Sequence, residues 1–196
     1  LGSKMSAKHN VPIFDSIEKA ITMDSDRVQV DGVISVGEHG SYPTNEKGQV
    51  LFPRRRFFSE IANTLEEFNR VVPVFSDKHL GYAWADAEHM VKTARERKIP
   101  LMAGSSIPLA WRVPPLTIPM GSEITEAVGL GYGPLEAYGF HALEGLQCMI
   151  ERRKGGETGV ASVQAVKGEA IWQAAETGRW SPELLDVVVG SEGASK

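Results

Sequence analysis

Short apolar runs alternate with amphipathic helices along the first half of the chain, and this alternation constrains the fold more than any other feature. The pattern predicts strands over 11–14, 30–37, 72–76 and 99–105, with helices over 15–21, 54–70 and 82–98 between them. Apolar strands joined by amphipathic helices are typical of a parallel sheet with helices on both faces. The first half, residues 1–110, is therefore predicted to have an α/β fold.

Two of these helices carry signals for their caps and buried faces. Asp15 with Glu18 three residues later has the pattern of a capping box, which predicts Asp15 as the N-cap. In the helix over 54–70, four apolar residues recur at helical spacing and are predicted to face the core: Phe57, Ile61, Leu65 and Phe68. The three arginines at its start, residues 54–56, are predicted to face solvent.

The pattern changes after residue 106. A proline-rich crossover is predicted over 111–123, followed over 124–196 by the start of an α+β domain. Residues 124–133 are strand-like, 136–154 predict a helix, and 158–178 alternate well enough for one or two strands. The stretch 181–190 predicts a further helix, with Ser181 as N-cap and Pro182 at its first position.

Composition excludes several classes of function. The 196 residues carry a net charge of −4, which favours neither nucleic acid nor an anionic membrane as a partner. No apolar run approaches the roughly 20 residues that a membrane span requires, so a cytoplasmic protein is expected. The chain has a single cysteine, Cys148, which rules out an internal disulfide. It falls on a predicted helix, where its side chain is expected to pack in the core.

Polar clusters follow three of the predicted strands. They cover residues 38–40, 77–79 and 104–106. In open α/β sheets, ligands bind beyond the carboxyl ends of the strands. Lys78 in the second cluster could hydrogen-bond a substrate hydroxyl or carbonyl and help to move a proton. The alternative is an ordinary solvated loop lysine, and the residues alone leave both interpretations open.

Further candidates are less specific. His141 and Glu144 lie three residues apart and share a helix face, as an acid–base or metal pair or as a plain surface pair. Ser105 and Ser106 could bind a phosphate or carboxylate, and Arg112 could clamp an anion or pack across the crossover. The glycines of GLGYG, residues 129–133, mimic a phosphate loop but lack the following G-x-x-G helix start, so no phosphate site is predicted there.

Taken in order, these segments resemble the glucose–fructose oxidoreductase, inositol dehydrogenase and MocA-like family. VDGVISVGEHGSYP (30–43) resembles the family's D-x-V-x-I-x-T-P strand and the loop after it, and VPVFSDKHL (72–80) resembles its V-x-x-E-K-P strand. The segment 138–166 resembles G-x-H-x-x-D followed by V-x-S-V-x-A. The resemblance covers about residues 8 to 180.

The resemblance implies a site and a reaction. Lys78 falls on the family's catalytic lysine with Asp77 before it, His141 on the catalytic histidine, and Glu144 on the acid that follows. The implied activity is hydride transfer between NAD or NADP and a hydroxyl of a small sugar or polyol, in a homo-oligomer. Six positions are implied to lie near the cofactor: Gly37, Glu38, His39, Ser105, Ser106 and Arg112.

The chain also departs from the family pattern. Asp-Lys-His replaces Glu-Lys-Pro, and Ala137 stands where the family has an aspartate. The first βαβ unit, with the G-x-G-x-x-G turn that holds the dinucleotide pyrophosphate, has no counterpart. We therefore expect a partial Rossmann-like sheet, a fragment of a longer parent, and weak or no cofactor binding by this chain alone.

Two other functions stay open at this point. One is a metal-assisted lyase, isomerase or hydrolase acting on a sugar scaffold, because imidazoles and carboxylates recur at predicted loop edges. Its candidate ligands are Glu38, His39, Asp77, His79, His141 and Glu144. The other is a non-catalytic family member that serves an assembly, for which Ala137 is the best support.

Overall fold

The computed structural model describes residues 2–37 and 40–193, the last three of them in backbone only. The chain divides into two compact units, Leu1–Ser105 and Ser106–Lys196. The described residues form seven α-helices and one three-stranded parallel sheet. The predicted α/β class is therefore confirmed, and the sheet lies in the first unit.

The first unit alternates helices and strands as the sequence predicts. Its elements are α1 (Gly2–His9), α2 (Ile17–Thr22), β1 (Val33–Ser35), α3 (Arg54–Glu67), β2 (Val74–Asp77), α4 (Trp84–Glu96) and β3 (Leu101–Gly104). The strand order is β1-β2-β3 and both pairs are parallel. Three of the four predicted strands are confirmed, although each is shorter than its apolar run.

The predicted strand over 11–14 is wrong. These residues have no regular structure and connect α1 to α2. Pro12 has no N–H to donate, and the Val11 N–H donates to the Ser6 carbonyl at 3.1 Å rather than to a neighbouring strand. A four-residue apolar run signals an extended chain, but it does not by itself supply a strand partner.

Ser16, and not Asp15, is the N-cap of α2. The Lys19 N–H donates to the Ser16 hydroxyl at 3.1 Å, which satisfies one of the free donors at the helix start. Asp15 lies one residue earlier and pairs with the Lys19 ammonium at 2.9 Å. That hydrogen bond and the attraction of the ammonium lower the pKa of the Asp15 carboxyl. The predicted capping box is therefore absent, because the third residue after Ser16 is Lys19 and not a glutamate or glutamine.

Replacing Ser16 by alanine should lower the free energy of unfolding by about 1 kcal/mol, because the Lys19 N–H loses its acceptor. Urea denaturation of the two proteins measures the difference. Asp15→Ala is the matched control and should change stability much less, since this exposed carboxylate caps nothing. A larger loss for Asp15→Ala than for Ser16→Ala would show that the cap is misassigned.

The core of the first unit lies between one face of the sheet and the helices α3 and α4. Phe58, Ile61 and Leu65 of α3 pack with Met90 of α4 and Val74 of β2. Two crossovers of the same hand that step in the same direction across a sheet place both helices on the same face. This topology explains why α3 and α4 share one core.

The buried face of α3 differs from the prediction at one position. Ile61 and Leu65 are buried as predicted, but Phe58 is only 1% exposed while Phe57 is half-buried. Arg54, Phe58, Ile61 and Leu65 follow one another at steps of four, three and four, which keeps them on one helix face. At about 100° per residue, Phe57 lies roughly 70° from the centre of this face. It is therefore at the margin of the face, where it is only half-buried.

The opposite face of the sheet is exposed, which corrects the prediction that helices cover both faces. Ile34 and Phe75 are register partners, as are Phe75 and Met102, so the three side chains form a row across all three strands. Ile34 is 76% exposed and Met102 is 67% exposed. No helix of the described first unit covers this row.

The second unit contains three helices and a short 3-10 turn. They are the turn Ile107–Leu109, α5 (Leu135–Ile150), α6 (Glu169–Glu176) and α7 (Pro182–Gly193). The predicted helices α5 and α7 are confirmed. Ser181 caps α7 as predicted, because its hydroxyl accepts from the Leu184 N–H at 3.2 Å. None of the described side chains in residues 106–190 is buried.

The strands predicted over 124–133 and 158–178 are absent from the described second unit. Residues 169–176 form α6, while 124–133 and 160–167 run without a strand partner. A period-two pattern indicates an extended backbone, but a strand also requires a neighbour to accept and donate its hydrogen bonds. These two segments have no such neighbour within the unit.

The glycines of GLGYG fit this segment against α5. A Cβ at Gly129, Gly131 or Gly133 would lie 3.4, 2.8 or 2.7 Å from an atom of Leu146, Ala142 or Tyr138 respectively. Two residues of extended chain span about 6.6 Å and four helical residues about 6 Å, so alternate glycines meet every fourth residue of α5. The motif is therefore explained by close packing against α5.

Candidate functional site

Three of the predicted site residues follow neighbouring strands at the carboxyl edge of the sheet. The β1–β2 register ends at the pair Ser35–Ser76, and Gly37 lies two residues beyond the end of β1. The β2–β3 register ends at the pair Asp77–Gly104, and Lys78 and Ser105 are the first residues after β2 and β3. Lys78 therefore follows the central strand, and Gly37 and Ser105 follow the strands on either side of it.

Lys78 is buried, which contradicts the alternative of a solvated loop lysine. Its exposed fraction is 6%. Burial alternates along the chain from Val72 to His79, so Lys78 continues the inward series of Val74 and Ser76. Burying an ammonium at a strand end costs free energy unless the group is hydrogen-bonded or paired with an opposite charge. The surroundings of Lys78 must therefore accommodate its charge, and its burial is the strongest feature of the candidate site.

The first turn of α3 closes against Gly37. A Cβ at Gly37 would lie 3.1 Å from the Phe57 ring and 3.8 Å from Cγ of Arg54, so a larger residue there would push the Phe57 ring aside. Arg54 is 2% exposed, and its Cζ lies 4.4 Å from the centroid of the Phe52 ring. The predicted solvent exposure holds for Arg55 and Arg56 but is wrong for Arg54.

Phe52 connects the long loop before α3 to the residues after β2. Its ring meets the His79 ring edge-on, with centroids 6.1 Å apart and planes at 76°. On another side it meets Tyr42 at 5.6 Å and 65°. Sequence reasoning missed Phe52 and Tyr42, although aromatic residues inside a long loop are a usable signal that the loop packs on something.

The loop over 41–53 is an ordered structure. Thr44 and Val50 form an antiparallel bridge, and the Asn45 side chain accepts from the Lys47 and Gln49 N–H groups at 3.0 Å each. The Gln49 side chain donates to the Tyr82 carbonyl at 2.8 Å. These bonds hold the loop against the segment that joins β2 to α4, beside His79.

Asp77 is a further described candidate of the first unit, and Ser106 is the first residue of the second unit. Asp77 is the last residue of β2 and is half-buried, and the alternation of burial separates it from Lys78. Ser106 is exposed and precedes the 3-10 turn, where its carbonyl accepts from the Leu109 N–H at 3.1 Å. Glu38 and His39 lie outside the described residues, so their predicted roles stay predictions.

The second unit carries the other three candidates. His141 and Glu144 are both half-buried and lie one turn apart on α5, so they share a face as predicted. Arg112 donates to the Leu116 carbonyl at 3.1 Å, and its other terminal nitrogen lies 4.0 Å from Sγ of Cys148. Those contacts match the packing role proposed for Arg112. Cys148 is half-buried on α5 and donates to the Gly145 carbonyl at 3.2 Å.

A metal centre finds no support in the described part of the chain. There, no three side chains of His, Cys, Asp or Glu converge as they would have to in order to hold an ion. Two of the six candidate ligands, Glu38 and His39, lie outside these residues, and the metal hypothesis stays a hypothesis.

Among the helices of residues 2–37 and 40–193, none combines the length and the apolar character needed to cross a lipid bilayer.

The arrangement can hold and polarise an oxygen atom of a ligand. The buried ammonium of Lys78, directly after the central strand, can donate to a hydroxyl or carbonyl. Its sequence neighbours are the Asp77 carboxylate and the His79 imidazole. The residues after the two neighbouring strands are Gly37, which permits close approach of the backbone, and Ser105, whose hydroxyl can donate or accept.

Comparison of the chain with family models, with curated proteins and with solved structures found no match.

Proposed function

We propose that this chain is part of a Rossmann-like oxidoreductase that acts on a hydroxyl of a small sugar or polyol. The observation that carries the proposal is the buried Lys78 directly after the central strand, with Gly37 and Ser105 following the strands on either side. Parallel sheets of this class bind ligands at that edge. The sequence resemblance, which assigns catalysis to the same lysine, is an independent line of support.

In this proposal the chain's own residues bind and orient the alcohol. The Lys78 ammonium donates a hydrogen bond to the substrate oxygen and stabilises the negative charge that develops there. The resemblance assigns removal of the hydroxyl proton to His141. NAD or NADP, when bound, would accept the hydride that leaves the carbinol carbon, so that the alcohol becomes a carbonyl.

The cofactor would rely on elements that the described residues do not supply. The residues described before β1 form α1, α2 and irregular chain, and the sequence holds no G-x-G-x-x-G turn. Backbone N–H groups of such a turn normally hold the pyrophosphate. We therefore expect this chain alone to bind NAD or NADP weakly or not at all, as calorimetry can measure.

Replacing Lys78 by methionine should abolish recognition of the substrate oxygen and leave the fold intact. Methionine keeps most of the length and the apolar stem of lysine but removes the charge. A hydrogen bond from a charged donor contributes about 1.5–3 kcal/mol, so polyol binding should weaken roughly tenfold to a hundredfold. Saturation-transfer NMR with myo-inositol, sorbitol and glucose, with and without NAD or NADP, measures the change.

Lys92→Met is the matched control, because Lys92 is an exposed lysine on α4, away from the carboxyl edge. It should bind the same ligands as the unmodified chain. Equal binding by the Lys78→Met protein, or no binding of any polyol or sugar by the unmodified chain, would contradict the proposal.

A further inference from the structure

The ring of Phe52 lies at the centre of a small aromatic cluster beside the candidate site. Cζ of Arg54 lies 4.4 Å from its centroid, and the rings of Tyr42 and His79 meet it edge-on, with centroids 5.6 Å and 6.1 Å away. The reaction proposed above assigns no role to these rings. Because His79 directly follows Lys78 in the chain, the cluster orders the residue next to the buried ammonium.

The backbone on both sides of this cluster is anchored. Within the long loop, the Leu51 N–H donates to the Pro43 carbonyl at 2.9 Å, one residue before Phe52. Three residues after His79, the Tyr82 carbonyl accepts from a side chain of the same loop at 2.8 Å. The edge-on contact of the two rings joins these anchored segments, and such contacts are attractive beyond the apolar area that they bury. Rotation of the imidazole is therefore restricted.

Lys78 and His79 lie at different depths. Lys78 is 6% exposed and the chain bends at this residue, whereas His79 is half-buried. Consecutive Cα atoms lie about 3.8 Å apart, so one small polyol can reach both side chains. A neutral imidazole donates from one ring nitrogen and accepts at the other. The His79 ring can therefore bind a hydroxyl that lies nearer to solvent than the oxygen held by Lys78.

We propose that His79 determines specificity by hydrogen-bonding a second hydroxyl of the substrate, next to the one that Lys78 holds, and that Phe52 positions the His79 ring for this contact. The inference rests on the proposed function and narrows its substrate class to 1,2-diols, in which neighbouring carbons carry hydroxyls. A mono-alcohol can use the ammonium but leaves the imidazole without a ligand partner. Sites built to hydrogen-bond a ligand group discriminate against analogues that lack it.

Binding of trans-cyclohexane-1,2-diol and of cyclohexanol separates the two contacts, because these ligands differ by one hydroxyl. Saturation-transfer NMR titrations of the full chain, with and without NAD or NADP, measure both dissociation constants. The unmodified chain should prefer the diol. His79→Ala should weaken diol binding roughly twofold to tenfold, the range expected for one neutral hydrogen bond, and should leave cyclohexanol binding unchanged. Lys78→Met should weaken the binding of both ligands.

The possible results distinguish failure of this inference from failure of the proposed function. If Lys78→Met weakens diol binding but His79→Ala does not, the inference is overturned and the proposed function stands. Equal weakening of both ligands by His79→Ala would also overturn it, since His79 would then not sense the second hydroxyl. So would a chain that binds a polyol or sugar but not the diol. A chain that binds none of these ligands would contradict the proposed function and the inference with it.

A double-mutant cycle tests whether Phe52 acts through His79. Phe52→Leu keeps an apolar side chain but removes the ring, and should weaken diol binding about as much as His79→Ala does. In the His79→Ala background it should have no further effect, because the ring that it positions is gone. Phe52→Tyr keeps the ring and should bind the diol as the unmodified chain does. An equal effect of Phe52→Leu in both backgrounds would show a general role in the loop and would overturn the positioning role.

Phe68→Leu is the matched control, because this partly buried phenylalanine lies at the end of α3, whereas the first turn of α3 contacts Gly37. It should leave the dissociation constant of the diol unchanged. The amide signals of Asn45 and Gln49 verify that each variant keeps the loop folded. The ring-proton signals of His79, identified by their loss in His79→Ala, should move in Phe52→Leu because a neighbouring ring current is removed. Unchanged signals would show that the two rings do not meet and would exclude Phe52 as the positioning residue.

Discussion

Replacing Phe58 by alanine should lower the free energy of unfolding of the first unit by about 3–5 kcal/mol. The ring is almost fully buried between α3, α4 and the sheet, and its removal leaves a cavity among Ile61, Met90 and Val74. Domains of this size have a total stability of only about 5–15 kcal/mol. Urea denaturation followed by hydrogen exchange of the β2 amides measures the loss within this unit.

Phe57→Ala is the matched control, because the same residue type is removed one position earlier on the same helix. Phe57 is half-buried and packs beside Gly37, so its loss should cost clearly less than that of Phe58. The comparison tests the rotational position of α3. If Phe57→Ala were the more harmful change, the helix would present the face that the sequence pattern predicts, and Arg54 would no longer belong to the buried row.

Replacing Gly131 by alanine should destabilise the second unit by about 1–3 kcal/mol. The new methyl group would meet Cβ of Ala142 at 2.8 Å, well inside normal contact, and neither atom belongs to a flexible side chain. The segment would have to lift away from α5. Thermal unfolding monitored by the fluorescence of Trp172 and Trp180, both of which lie in this unit, measures the effect.

Ala142→Gly should partly rescue Gly131→Ala, because it removes the atom that the new methyl group meets. By itself Ala142→Gly should cost about 1 kcal/mol, the usual price of glycine in a helix interior. Gly190→Ala in α7 is the control, since nothing lies within 4 Å of its Cβ position, and it should be neutral or stabilising. If the double variant were no more stable than the sum of its single changes allows, the contact between the two positions would be disproved.

The elements of the first unit could be predicted because their signals are local. Apolar runs ending in glycine or polar residues locate β1, β2 and β3, and the helical spacing of apolar residues locates α3 and α4. The failures have equally physical causes. The adjacent pair Phe57 and Phe58 allows two helix rotations, and only packing chooses between them. The charge of Arg54 predicts that its side chain faces solvent. Its spacing to Phe58 and Ile61, however, places it on the buried face of α3.

The candidate site could be predicted in part. That Lys78 ends a strand follows from the sequence, since an apolar run leads directly into it. That Gly37 and Ser105 follow the two strands beside it does not follow from the sequence, because no local signal specifies the order and register of parallel strands. The segments over 124–133 and 160–167 show a second limit. Their alternation predicts strands, but a strand also requires a hydrogen-bonded neighbour, which the pattern cannot specify.

The alternation of burial through β2 makes the length of that strand part of the site. From Val72 to His79 every second residue is buried, and Lys78 belongs to the inward series while Asp77 does not. Deleting or inserting one residue between Val72 and Ser76 would exchange the two, turning a carboxylate toward the core and the ammonium toward solvent. Evolution can therefore vary the side chains around this lysine, but it can change the strand only two residues at a time.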